Sequence, residues 1–124
     1  MNHDFEINQI YARKNHVGYG MGLGIMLLDE VYPGFPGDLR NSSAYPFPIQ
    51  YEIMEGLNCY NIGWCKGDDD YLLPPIIAAA KKLEKLGCRA ILAECGYFSY
   101  FQKVVAEQME IPVFMSSLLQ IPFI

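Results

Sequence analysis

No uncharged apolar run in this sequence reaches the roughly 18 to 20 residues that a membrane-crossing helix needs. The opening residues, Met1 to Glu6, carry acidic side chains where a secretory leader would carry basic ones. No span and no leader are therefore expected, and the cytoplasm is the expected compartment. Basic charge is scarce: nine Lys and Arg against 14 Asp and Glu leave a net charge of −5. That balance gives no electrostatic footprint for nucleic acid or for an anionic membrane, and neither is expected as a partner. Soft metal ligands are few. The four cysteines, Cys59, Cys65, Cys88 and Cys95, contain no CxxC pair, and the two histidines, His3 and His16, both fall in the N-terminal arm. A structural zinc site is not expected, and the cysteines read as reduced thiols. Gly18, Gly20, Gly22 and Gly24 precede the first strand, whereas a phosphate-cradling loop follows one. No metal, nucleotide or pyridoxal cofactor is expected.

What the chain does have is apolar mass. It is 124 residues long, 52% hydrophobic, with nine Tyr, seven Phe and one Trp, enough for one domain with one core. A mean hydropathy of +0.09 is high for so small a domain and suggests an apolar surface reserved for a partner. Residues 1–20 alternate without sustained period and read as an arm; residues 21–124 read as a single α/β domain.

Met21 to Leu28 is a nearly continuous apolar run, the pattern of a strand buried on both faces. Tyr32 to Pro48 holds four prolines and reads as a long loop, and a loop of that length raises the expectation of binding. Ile49 to Met54 alternates as a half-exposed strand, while Glu55 to Lys66 is a turn-rich connection. Asp68, Asp69 and Asp70 read either as an N-cap and favourable charge at a helix start or as a cation site, the first being the simpler. Leu73, Ile76, Ile77, Ala80, Leu83 and Leu86 form a helical stripe that Gly87 terminates. Cys88 to Ala93 reads as a strand, Tyr97 to Met109 as a second helix and Ile111 to Met115 as a last strand. The order implies a parallel sheet of about four strands with crossover helices, like one flavodoxin-like half, and places ligands at the carboxyl ends of the strands.

At that rim stands Cys95, in Ala93-Glu94-Cys95-Gly96-Tyr97. Gly96 permits close backbone approach, and the first turn of the expected helix would favour the thiolate. Cys88, at the far end of the same strand, reads as packing. The loop after the first strand and Ser116-Ser117 after the last should converge on Cys95. Serines there suit either a bound carboxylate or a simple cap.

These residues resemble the cofactor-independent aspartate/glutamate racemase superfamily, including its hydantoin racemase-like members, from about Gly22 to Ile124. The resemblance rests on Gly24 to Asp29, Pro33 to Asn41, Ala93 to Phe98 and Pro112 to Gln120. It implies two similar domains, each giving one cysteine, with one thiolate taking the proton beside a carboxylate and the other thiol returning one. On this resemblance Cys95 is the catalytic residue, and Gly37, Asp38, Asn41, Gly96, Tyr97, Ser116 and Ser117 bind substrate. The expected ligand is a small carboxylate or amino-acid derivative. The chain would match only the first domain, so a homodimer or a missing second domain is expected to complete the site. Ile111 to Ile124, uncharged and with nine of fourteen residues hydrophobic, would supply the contact. Three readings remain open: an isomerase acting through paired half-sites, a truncated non-catalytic member with a carboxylate-binding crevice, and one-thiol chemistry such as decarboxylation. Glu94 departs from the family pattern, and its charge would oppose thiolate formation at Cys95 if both side chains faced the same way, whereas adjacent strand residues ordinarily face opposite sides.

Overall fold

A computed structural model describes residues 9–62 and 70–124. The apolar run at residues 21–28 forms the inner strand β1 (Leu23–Leu28), with Ile25 and Met26 wholly buried. It pairs in parallel on one side with β2 (Ile49–Met54) and on the other with β3 (Ala90–Ala93), which in turn pairs with β4 (Val113–Phe114). The resulting four-stranded parallel sheet has the order β2-β1-β3-β4, as the alternation of strand and helix signals requires. Each strand thus ends at the same rim. β4 is shorter than the run at Ile111 to Met115 predicts, because only Val113 and Phe114 find partners on β3. Ile111 packs against the core without pairing, and Met115 is buried beyond the ladder.

The connection from β2 holds a short helix, α1 (Cys59–Ile62), then a 3-10 turn at Asp70–Leu72 and the main helix α2 (Leu73–Lys85). Leu72 occupies the N-cap position and no side chain caps the helix. Asp70 therefore sits in the preceding turn and is not the expected cap; Asp68 and Asp69 lie outside the described residues. Pro74 and Pro75 open α2, where a missing N–H costs nothing. Its inward stripe is Ile76, Ala79, Ala80 and Leu83, with Leu73 and Ile77 partly buried; Leu86 lies at the exposed edge. α2 lies so close to β1 that a Cβ on Gly24 would come 2.9 Å from the Leu83 Cβ. That proximity explains the glycine within a strand. Gly87 ends the helix in the left-handed region, at φ +87°.

The segment after β3 departs from the expected single helix. Gly96–Phe101 is a 3-10 helix that passes into the five-residue α3 (Gln102–Ala106). Three residues per turn stack Phe98 and Phe101 on the same side, and both are buried. The same spacing stacks Tyr97 and Tyr100, with centroids 6.5 Å apart. Among the described residues no helix is long and apolar enough to cross a membrane.

Candidate active site

The ladder between β1 and β3 stops at Met26 and Ala93, two residues before β1 ends. Glu94 takes over there. Its carboxylate accepts the Leu28 N–H and the Tyr32 hydroxyl, the latter at 2.8 Å. Arg40, from the long loop, binds both carboxylate oxygens, Nε to Oε2 and Nη2 to Oε1, each at 2.6 Å. The two side chains are only 12% and 6% exposed. The remaining guanidinium donors reach the Glu30 carbonyl at 2.6 Å and the Leu28 carbonyl at 2.9 Å. The guanidinium also stacks 3.9 Å from the centre of the Tyr32 ring. Burial, then the hydrogen bond to Glu94, pushes the Tyr32 hydroxyl up to about 12. The long loop is thus pinned to the rim by an ion pair in which every carboxylate and guanidinium contact is charge-assisted. Glu94 consequently meets a cation of its own and does not act as the unopposed charge that its place beside Cys95 suggests.

Cys95 follows in extended conformation, partly buried, and begins the 3-10 helix. Its carbonyl accepts the Phe98 N–H at 3.1 Å. The long α-helix expected to start at Cys95 is thus a 3-10 turn instead. A second thiol stands on the same rim. Cys59, exposed at the start of α1, donates to the Glu30 carboxylate at 2.8 Å. That hydrogen bond raises its pKa above the usual thiol range, and the Cys95 charge acts in the same direction. Cys59 is therefore held as a thiol within electrostatic reach of Cys95. Cys88 is buried among core side chains at the opposite end of β3, where burial raises its pKa too.

The other expected site residues fall into two groups. Gly96 adjoins the last turn: a Cβ there would lie 3.1 Å from Leu118 and 3.9 Å from the Ser116 hydroxyl. Ser116 is buried, and its Oγ accepts the Leu118 N–H at 3.1 Å as an N-cap, the second of the two roles open to it. Ser117 is exposed, and Tyr97 is half-buried against Phe101. The loop residues hold their own loop. Gly37 turns the chain at φ +92°. The Asp38 carboxylate accepts the Arg40 N–H at 2.7 Å, and Asn41 bridges Gly34 and Ser43. Asp38 thus holds Arg40, which binds Glu94, the neighbour of Cys95. Sequence reasoning gave no role to Arg40, Tyr32, Glu30 or Cys59. The available signal was a lone arginine in a Pro/Gly-rich loop and a lone carboxylate at the end of a buried strand, each needing the other. Among the described residues, no three His, Cys, Asp or Glu are grouped to hold a metal ion.

Known proteins overturn the racemase resemblance. No protein-family model matches the chain, and no solved structure matches it significantly. Curated relatives do. The chain is 35% identical over 102 residues to dimethylsulfoniopropionate lyase 7 of Emiliania huxleyi, and 32% identical to lyase 6 of the same alga. It is 31% identical over 101 residues to the dimethylsulfoniopropionate lyase of Durusdinium sp. clade D. Each match takes in 81% of this chain but only 29%, 26% and 33% of the respective relative. A stretch of that extent includes everything from Arg40 to Cys95 wherever its ends fall. The relatives carry the name of a lyase, so the isomerase assignment is withdrawn, and decarboxylation finds no support among them. The chain spans about a quarter to a third of the length of these algal lyases.

Proposed function

We propose that this chain carries lyase chemistry on a β-sulfonio carboxylate of the dimethylsulfoniopropionate type, with Cys95 as the proton-abstracting thiolate. The observation that carries the reading is the 31–35% identity to proteins named for that reaction across a segment that contains Cys95. The chemistry of such a substrate asks little of the protein. A base removes a proton from the carbon next to the carboxylate, and the electron pair left behind forms a carbon–carbon double bond. The bond from the neighbouring carbon to sulfur breaks, releasing neutral dimethyl sulfide and leaving acrylate. The leaving group takes the electron pair of its own bond and needs no proton, so one base is enough. Two-sided proton transfer, which the racemase reading required, is not needed here.

Of the two thiols at the rim among the described residues, Cys59 is tied to Glu30 and favours its protonated form. The Glu94 carboxylate beside Cys95 is engaged by Arg40, Tyr32 and Leu28. The Arg40–Glu94 pair acts as a positioning element that fixes the strand end carrying Cys95. Incubation of the chain with dimethylsulfoniopropionate in heavy water, followed by proton NMR, tests the reading. Vinyl signals of acrylate growing together with dimethyl sulfide are expected; a spectrum that changes no faster than in buffer overturns it.

A further inference from the structure

At the opposite end of the sheet, where the chain enters β1, β2 and β3, lies a groove of about 740 Å³, within the usual range of small-molecule sites. One wall is the arm, held by a Val17 N–H to Lys85 carbonyl bond at 2.7 Å and a Gly22 N–H to Pro48 carbonyl bond at 2.7 Å. Arg13, His16 and Arg89 line it together with the flat rings of Tyr11, Tyr19 and Phe47, and among the described residues no acidic one does. The chain has three arginines. Arg40 spends its guanidinium within the ion pair described above, whereas Arg13 and Arg89 make no side-chain hydrogen bond or ion pair among the described residues. Two guanidiniums without a side-chain partner among the described residues, in a groove that aromatic rings also line, run against the net charge of −5.

We propose that this groove binds a small organic anion with a flat apolar body, of which an aromatic carboxylate is the simplest case. The arginine forks would take the carboxylate, and the rings would cover its body. The proposal does not depend on the lyase reading, because the groove and the thiol rim lie at opposite ends of the strands.

Titration of the isotopically labelled chain with 2-naphthoate, followed by amide NMR, tests it. Saturable shifts are expected at residues 19–23 and 87–89 and not at residues 94–97. Neutral 2-naphthalenemethanol, and inorganic phosphate alone, should each bind about tenfold or more weaker than the naphthoate. Arg13→Gln with Arg89→Gln should weaken naphthoate by a similar factor while leaving thermal melting unchanged, both side chains being exposed. The single variants, read separately, give the same test if the pair melts early. Equal binding of alcohol and acid, equal binding of phosphate alone, unchanged affinity in the variants, or shifts confined to the thiol rim would each overturn the proposal.

Discussion

Arg40 and Glu94 stand 54 positions apart in the chain and are joined by two parallel bonds of 2.6 Å, so that one guanidinium ties the long loop to the end of β3. Both side chains are almost entirely removed from water. Deleting only one of them strands a buried charge. Arg40→Met should therefore cost about 3–5 kcal/mol of folding stability. Arg40→Lys keeps the charge but not the fork and should fall between Arg40→Met and the wild type. Glu94→Gln combined with Arg40→Met should recover part of the loss, since both charges are then gone. Urea denaturation of Arg40→Met, Glu94→Gln, Arg40→Lys and the double variant measures this. Strict additivity of the two single losses would show that the pair is not coupled.

The thiol of Cys59 supplies a second prediction. Glu30 accepts its proton at 2.8 Å and so favours the neutral form, which moves thiolate formation to higher pH than for an ordinary cysteine. Alkylation by iodoacetamide, read peptide by peptide in a mass spectrometer, should be slow at Cys59 near pH 8 despite its exposure. Glu30→Gln should accelerate it several-fold at that pH and shift its midpoint downward. An unchanged rate in Glu30→Gln would mean that the carboxylate does not hold the proton.

Gly87 supplies a third. It sits at φ +87°, and a Cβ there would come 1.9 Å from the Gly18 carbonyl oxygen. Gly87→Ala thus combines backbone strain of about 1–3 kcal/mol with displacement of the arm. Limited proteolysis should cut residues 9–22 faster in Gly87→Ala, in step with a lower melting temperature. Wild-type cleavage rates would show that the arm does not depend on this contact.

The sequence made the sheet legible because its strands announce themselves as short apolar runs between turn residues. Ile49 to Met54 alternates as a half-exposed strand, and it proves to be the sheet edge. The stripe of α2 was equally plain. What periodicity could not resolve was Gly96 to Phe101, where buried residues at 98 and 101 satisfy both a 3-10 and an α spacing. The position of Cys95 at the end of a strand was readable from the same pattern. Its surroundings were not. Arg40 and Glu30 reach the rim from the connection between β1 and β2 and Cys59 from the one after β2, and only parallel pairing of β1 with both β2 and β3 gathers them with Glu94. The family resemblance failed for a related reason: strand-end motifs report a rim and a thiol, and many reactions begin with a thiolate removing a proton next to a carboxylate.

If Cys95, and not Cys59, is the base, the rate of dimethyl sulfide release from dimethylsulfoniopropionate depends on the Cys95 thiol alone. Headspace gas chromatography on the wild type, Cys95→Ser and Cys59→Ser should show a loss of at least about a hundredfold in Cys95→Ser, the scale of a missing general base. Cys59→Ser should stay within a few-fold of the wild type. Full release by Cys95→Ser, or its collapse in Cys59→Ser alone, would contradict the account.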